Sequence, residues 1–542
     1  MRPEYSEPGV GKRAAHLLLC GLLSCLCLTC GITARAATKD ERLGQAERAL
    51  RKGELVLAER LFRELIAKDG RDLAAHLGLS KTLLKKRDLS GAFDHAGFVL
   101  AHDRYSARAR SLAGTVLSMS GNFQLAREQF EAALQIEQEP LAIAGLATID
   151  FYENRLEESR RGLRQAVRLQ PAEPDFIFLL ALTAVRLERY GEAADAYSRF
   201  LEVAPNNDEE RRARIKGLID FLRYLKGQKR LYSIEGARRA EIPLELVDNL
   251  PVIQVRPNGS NEVFRFVLDS GSAMTVISEE TAERLGIKAA ARGGSASAIG
   301  GRFKIVYGLL SSLEIGPTRI RNVPVYIRHF FHSNNRIDGY LGLMMISRFV
   351  TTVDYGARSL TLSRGSSTRD TAAAAEPPAL EIPLRMTPGG FLSSGVEIGG
   401  LTMPLNFIVD TGASISVLSK RLESHDEIRS FKAGQKLRVY GAAGIEDDVL
   451  TLLLPRLTLG SCGRENVLAA LLDLDAISET AGFEQAGIVG GNFLRHFRVT
   501  FDLKRSVIRL SPLGPALLPA NGTLSNGLDR AQVFESRADL PF

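Results

Sequence analysis

The first part of the chain has the apolar periodicity of amphipathic helices and repeats itself at a fixed interval. Small residues recur every 33 or 34 positions, at Ala58, Ala92, Ala126, Ser159 and Ala193. Four positions after each of them stand Phe62, Ala96, Phe130, Leu163 and Tyr197. A small residue at a fixed interval lets two helices pack closely, so the pattern predicts stacked helical hairpins over residues 37–230.

One more amphipathic segment, Asp208–Leu225, is predicted to be a helix that caps the last hairpin. An interval of about 34 residues with a small residue at the helix contact resembles the tetratricopeptide repeat, and five units suffice for a superhelix. This resemblance implies an all-α superhelix with a concave surface for a protein substrate or partner. A spacer that binds nothing is the alternative.

After Gly227 the pattern changes to short apolar runs separated by turn residues, which is typical of β-strands. This part of the chain is an internal duplication. Glu241–Leu244 recurs as Glu381–Leu384, and Gly339–Gly342 is matched by Gly487–Gly490. The chain therefore contains two related β-rich units in tandem.

The duplication defines the boundaries that the sequence predicts. Two all-β lobes occupy residues 240–364 and 379–512, and residues 365–378, rich in Ser, Thr, Ala and Pro, form a flexible linker between them. Residues 513–542 have no clear pattern and are predicted to be a flexible tail.

Each lobe contains one Asp directly after an apolar strand, followed by a hydroxyl residue and a glycine. The two turns consist of Asp269, Ser270, Gly271 and of Asp410, Thr411, Gly412. A charge at the end of a buried strand is unfavourable unless something compensates it, so such a turn indicates function. Two of them in one chain predict a pair of carboxylates brought together.

Two further features follow each Asp turn in the same order. About 30 residues on is a glycine-rich hairpin, with Ile299, Gly300, Gly301 in the first lobe and Gly441, Ala442, Ala443, Gly444 in the second. Then an apolar strand ends in a glycine and a short helix, at Tyr340–Ile346 and Ile488–Leu494. Turn, hairpin and strand–helix in this order, twice, resemble the retropepsin-like aspartic proteases over about residues 240–512.

The resemblance implies an aspartic endopeptidase with Asp269 and Asp410 as its catalytic pair. Two carboxyl groups about 3 Å apart share one proton, and the pair activates a water against a peptide bond. The other four turn residues would support the turns, and the hairpins would be flaps over an extended peptide. Neither a metal nor another cofactor is required.

Two alternatives remain open at this point. The two Asp residues meet either within one chain, which is the arrangement we expect, or between like lobes of two chains in a dimer. The lobes also suit a scaffold that binds peptides in the cell envelope without cutting them. The presence of both Asp residues favours the protease.

Composition excludes some classes of partner. The chain of 542 residues has a formal net charge of +7, and 45% of it is hydrophobic. These values are ordinary for a globular protein of three or four domains. No basic block is interleaved with aromatic residues, so we expect no nucleic-acid partner.

The N-terminus is typical of an export signal. Lys12 and Arg13 precede an apolar run, Leu17–Ile32, and a small-x-small cleavage pattern at Ala34–Ala36. We therefore predict a signal peptide over residues 1–36 and a periplasmic or envelope-associated protein. A lipoprotein-like box at Leu22–Cys25, or an uncleaved signal, would instead attach the chain to a membrane. Four of the five cysteines lie in this segment, so simple cleavage leaves no partner for a disulfide.

Overall fold

The computed structural model describes residues 38–298, 301–331, 336–365, 380–513 and 530–532. The predicted signal peptide, Ile299 and Gly300 of the first hairpin, all but one residue of the predicted linker and most of the predicted tail lie outside these residues.

Up to Lys226, the described part of the chain consists of helices joined by short turns. They are α1 (Lys39–Arg51), α2 (Leu55–Lys68), α3 (Leu73–Lys85), α4 (Leu89–His102), α5 (Ala107–Met119), α6 (Phe123–Leu134), α7 (Pro140–Tyr152), α8 (Leu156–Leu169), α9 (Pro174–Arg186), α10 (Tyr190–Val203) and α11 (Glu209–Lys226). The side chains of Asp72, Asp88 and Asp208 each accept a hydrogen bond from the amide three residues on, and so fix where α3, α4 and α11 begin. No helix among the described residues is long and apolar enough to cross a membrane.

The repeating small residues lie where the prediction places them. Each stands on the second helix of its pair, and all five are fully buried: Ala58, Ala92, Ala126, Ser159 and Ala193. The residues four positions later are also buried, so each helix pair packs around a core that it shares with its neighbours. The helical repeats are thereby confirmed.

The first lobe is built around a nine-stranded sheet. Its elements are β1 (Ser233–Gly236), β2 (Arg239–Pro243), β3 (Glu245–Val247), β4 (Leu250–Pro257), β5 (Phe264–Leu268), β6 (Thr275–Ser278), α12 (Glu279–Arg284), β7 (Ala291–Ala298), β8 (Gly301–Ile315), β9 (Thr318–Arg328), β10 (Gly339–Leu341), α13 (Leu343–Ile346), β11 (Val350–Asp354) and β12 (Ser359–Ser363). The order of the main path is β1-β9-β6-β10-β5-β4-β8-β7, with β3 beside β4.

The second lobe has a sheet of the same size. Its elements are β13 (Glu381–Pro383), β14 (Arg385–Met386), β15 (Leu392–Ile398), β16 (Leu405–Val409), β17 (Ser416–Ser419), a 3-10 helix (Lys420–Ser424), α14 (Asp426–Ser430), β18 (Lys432–Tyr440), β19 (Ile445–Leu459), β20 (Cys462–Leu472), α15 (Asp475–Ala481), β21 (Gly487–Val489), α16 (Gly491–Leu494), β22 (Phe497–Asp502), β23 (Val507–Pro512) and β24 (Arg530–Gln532). The order is β14-β15-β16-β21-β17-β20-β19-β18-β24.

A six-stranded sheet joins the two lobes within the chain. Its order is β13-β23-β22-β11-β12-β2, so each lobe contributes three strands. The central pair, β11 and β22, is antiparallel, with Thr352 opposite Thr500 and their hydroxyl oxygens 2.9 Å apart. Because equivalent strands of the duplicated lobes meet at this pair, the lobes are related by an approximate twofold axis and their equivalent turns face each other.

The helical repeats contact both lobes. Helix α11 packs against β7 so closely that a Cβ on Gly217 would lie 2.1 Å from the carbonyl oxygen of Arg292. Phe221 of the same helix stacks on Tyr307 of β8, with ring centroids 4.3 Å apart. On the second lobe, Phe123 and Phe483 meet edge to face at 4.8 Å. The hairpin β7–β8 of the first lobe is therefore attached to the last helix of the repeats.

Candidate active site

Each Asp turn is held by the strand that pairs with it. Strand β10 lies between β5 and β6, and β21 lies between β16 and β17. The amide of Asp269 donates to the Leu341 carbonyl and the amide of Asp410 to the Val489 carbonyl, each at 3.0 Å. The residues that precede each Asp, Phe266–Leu268 of β5 and Phe407–Val409 of β16, are apolar and buried, so the backbone places both carboxyl groups in the interior.

The two turns meet at the boundary between the lobes. A Cβ on Gly271 would lie 2.4 Å from Oδ2 of Asp410, and a Cβ on Gly412 would lie 2.3 Å from Oδ1 of Asp269. Each glycine thus lets its turn approach the opposite carboxyl group, which no other residue type would allow. Both Asp side chains are fully buried.

The hydroxyl residues lock the turns together across the boundary. The Ser270 hydroxyl donates to the Val409 carbonyl at 2.9 Å and accepts from the Thr411 amide at 3.0 Å. In the reverse direction, the Thr411 hydroxyl donates to the Leu268 carbonyl at 2.6 Å and accepts from the Ser270 amide at 3.0 Å. These reciprocal bonds fix the distance between the two carboxyl groups.

Within each turn the carboxyl group is oriented by the following glycine. Oδ1 of Asp269 accepts from the Gly271 amide at 2.9 Å, and Oδ1 of Asp410 accepts from the Gly412 amide at 2.7 Å. The two Oδ2 atoms are buried and accept no hydrogen bond from the described residues. These are the oxygens available to a reactant.

The hairpin of the second lobe points inward. Its tip, Gly441–Gly444, joins β18 to β19 and is buried throughout. The carbonyl oxygen of Ala442 accepts a hydrogen bond of 2.6 Å from Nη1 of Arg328, the last residue of β9 in the first lobe. This hairpin therefore closes against the other lobe. In the first lobe, Gly301 begins β8, while Ile299 and Gly300 lie outside the described residues.

The structure thus brings together the six turn residues singled out by the sequence, and places the hairpin of the second lobe beside Arg328. Arg328 itself is absent from the sequence prediction. The only signal in the sequence is that the apolar strand Val323–Ile327 ends in a charge. Nothing in the sequence predicts the attachment of β7 to α11, because the contact joins the backbone of the first lobe to a glycine of the last repeat helix.

Comparison with known families agrees with this geometry. The model of the aspartyl protease family matches residues 253–345 and again residues 395–493, one match in each lobe. The model of the tetratricopeptide repeat matches residues 145–208. Aspartyl-protease-like lobes follow tetratricopeptide repeats in this chain. No curated protein matches the sequence.

Several solved structures are similar to parts of the chain. An aspartic proteinase from Irpex lacteus is 13% identical, with a TM-score of 0.35, and the match covers 51% of this chain and 98% of that one. A thermophilic tetratricopeptide protein from Thermus thermophilus is 18% identical, with a TM-score of 0.30, over 34% of this chain and 99% of that one. PilF from Pseudomonas aeruginosa is 16% identical, with a TM-score of 0.27, and the match covers 35% of this chain and 85% of that one.

The electrostatics of the aspartyl-protease-like lobes follow from burial. Loss of solvent raises the pKa of Asp269 well above its ordinary value, and the neighbouring charge of Asp410 raises it further. Burial raises the pKa of Asp410 to about 7, although hydrogen bonds from the Gly412 amide and from Asp269 oppose the rise. The two groups titrate as a unit, so the pair retains at least one proton at neutral pH.

The interlocking hydroxyls give a first prediction. Thr411→Val keeps the volume of the side chain but leaves the Ser270 amide without an acceptor and the Leu268 carbonyl without a donor. Buried groups without partners cost about 1–3 kcal/mol each, so we expect a loss of about 2 kcal/mol or more in the free energy of unfolding, measured by chemical denaturation. Thr411→Ser, which keeps the hydroxyl, is the control and should lose about 1 kcal/mol. Equal losses in both variants would contradict a stabilising role for these bonds.

Proposed function

We propose that this chain is an aspartic endopeptidase that hydrolyses peptide bonds with a water molecule activated between Asp269 and Asp410. The observation that carries the proposal is the interlocked pair of turns, which holds two buried carboxyl groups face to face within one chain. The family match of both lobes supports it.

The chemistry needs one proton on the pair. With one proton shared, the ionised carboxyl group takes a proton from water, and the resulting hydroxide attacks the carbonyl carbon of the peptide. The protonated carboxyl group donates a hydrogen bond to the carbonyl oxygen, which stabilises the charge that develops there. The tetrahedral intermediate collapses when a carboxyl proton passes to the leaving nitrogen and the C–N bond breaks.

The pKa values determine the pH range of this reaction. Below about pH 7 both carboxyl groups hold protons, so no base is available, since the pKa of Asp410 is raised to about 7. As pH rises through this value the singly ionised pair forms, and it persists because the pKa of Asp269 is raised well beyond its ordinary value. We therefore expect the rate to rise from acid to neutral pH.

The repeats and the N-terminus complete the proposal. The superhelix would recruit a protein substrate or partner, since helical repeats of this kind present a large surface of stacked helices. The charged start, apolar run and Ala34–Ala36 pattern support export of the chain to the periplasm or envelope.

A peptide library tests the proposed activity. Purified protein lacking residues 1–36 is incubated with the library from about pH 4 to 9, with and without a statine-type mimic of the tetrahedral intermediate. We expect cleavage that increases through about pH 7, is blocked by the mimic and is unaffected by a metal chelator. Binding of the mimic without turnover at any pH would contradict the endopeptidase and favour a peptide-binding scaffold.

A further inference from the structure

Arg328 is a buried cation between the two lobes. It ends strand β9, and only 2% of its surface is exposed. Its guanidinium lies over the rings of Phe303 and Phe330, with Cζ 5.3 and 5.6 Å from their centroids. A buried charge is costly unless nearby groups compensate it. The position of Arg328 therefore requires an explanation beyond packing.

The contacts of Arg328 reach the other lobe and the carboxyl pair. Nη1 donates to the carbonyl of Ala442, at the buried tip of the second hairpin. The guanidinium and the Asp269 carboxyl group also interact electrostatically: Arg328 lowers the pKa of Asp269 against the effect of burial, and Asp269 raises the pKa of Arg328. One side chain thus connects the hairpin to the candidate catalytic pair.

Other titratable groups face this region from several elements. Tyr340 on β10 interacts electrostatically with Arg328, and Tyr355, after β11, interacts with Asp410. Burial raises the pKa of Tyr355 far above neutrality, so its hydroxyl stays neutral. Burial lowers the pKa of Arg328 to about 10, which leaves the guanidinium charged at neutral pH. Arg328 is therefore a charged group that acts on the pair.

We propose that Arg328 is a positioning residue that holds the Gly441–Gly444 hairpin closed over the carboxyl pair and balances the negative charge of the pair. The inference rests on the proposed function. In this role Arg328 makes the singly ionised state of Asp269 and Asp410 accessible in a fully buried site. This role also accounts for the charged residue that follows the apolar run Val323–Ile327 of β9.

Three substitutions separate the two parts of this role. Arg328→Lys keeps the charge, Arg328→Gln keeps a hydrogen-bond donor without charge, and Arg328→Met keeps only the bulk. Without the positive charge the ionised pair is less stable, so its pKa rises and the acid limb of the pH–rate profile moves to higher pH. On that limb we expect kcat/KM to fall about tenfold in the Gln and Met variants, and far less in the Lys variant.

Two measurements that need no turnover accompany the kinetics. Carbon-13 NMR of labelled aspartate follows the titration of the pair in each variant, and amide hydrogen exchange reports opening of residues 441–444. We expect the titration to move to higher pH in the Gln and Met variants, and faster exchange in the Met variant than in the Gln variant. These results remain informative if the wild-type chain cleaves no peptide, so failure of the endopeptidase and failure of this inference are distinguishable.

A purely structural role for Arg328 predicts a different outcome. In that case the Gln and Met variants would lose stability or kcat while the pH–rate profile and the NMR titration stayed in place. An unshifted titration in folded Gln and Met variants would overturn the charge-balancing role, and unchanged exchange in the Met variant would overturn the role in closing the hairpin.

Discussion

Asp269→Asn and Asp410→Asn are each expected to reduce peptide cleavage about 1,000-fold or more, because each removes one member of the pair that shares a proton. An amide cannot take a proton from water, and it cannot pass one to the leaving nitrogen. The turns themselves should persist, since the backbone bonds to Leu341 and Val489 do not involve the side chains. Initial rates on a peptide cleaved by the wild type measure the loss.

Stability against pH shows that these variants are folded and tests the pair independently. A carboxyl group whose pKa is raised by folding contributes stability that is fully present at low pH and is lost as pH rises through its folded pKa. For Asp410 that value is about 7. Asp410→Asn removes the free-energy cost of a buried negative charge, so this variant should unfold at a higher temperature than the wild type above pH 7. The difference between the two unfolding temperatures should disappear toward pH 4.

Asp475→Asn is the matched control for both measurements. Asp475 lies in the second lobe, is half exposed and pairs with Arg421. Its loss should leave cleavage unchanged and stability within about 0.5 kcal/mol. Full activity in both Asp269→Asn and Asp410→Asn would show that the pair does not perform the reaction, whatever the stability curves show.

The helical repeats and the paired Asp turns can be predicted from the sequence, because local patterns of residues specify both. The interval between Ala58 and Ala92 defines a helical repeat because the same close contact recurs in every pair of helices. The duplicated Asp turns predict a paired site because a twofold arrangement of equal lobes brings equal turns together. The period of the repeats and the free-energy cost of burying a charge are sufficient to predict both features.

The contacts between units could not be predicted in this way. Whether Asp269 meets Asp410 within the chain depends on the pairing of β11 with β22, and a dimer in which like lobes of two chains pair would use the same strands. The hydrogen bond from Arg328 to Ala442 joins a strand end to a hairpin tip of another lobe. Such contacts depend on the relative orientation of whole units, which the periodicity of the sequence does not determine.

The attachment of α11 to β7 gives a further prediction. Gly217→Ala places a Cβ 2.1 Å from the Arg292 carbonyl oxygen and 2.4 Å from Cα of Gly293, and both neighbours are backbone atoms that cannot rotate away. Helix and strand must therefore separate, and the bond from Arg214 Nη1 to the Ser295 carbonyl, now 3.1 Å, lengthens with them. We expect a loss of about 1–3 kcal/mol in the free energy of unfolding.

Gly97→Ala in α4 is the matched control, because a Cβ there meets nothing within 4 Å. That variant should gain up to about 1 kcal/mol from the better helix propensity of Ala. Gly217→Ala gains the same propensity, so a result of opposite sign isolates the contact with the hairpin. Hydrogen exchange should also quicken in residues 291–298 of the Gly217 variant alone. If both variants gained stability and β7 stayed protected, the last helix of the repeats would not hold the first hairpin, and contacts such as that of Phe123 with Phe483 would attach the repeats to the lobes instead.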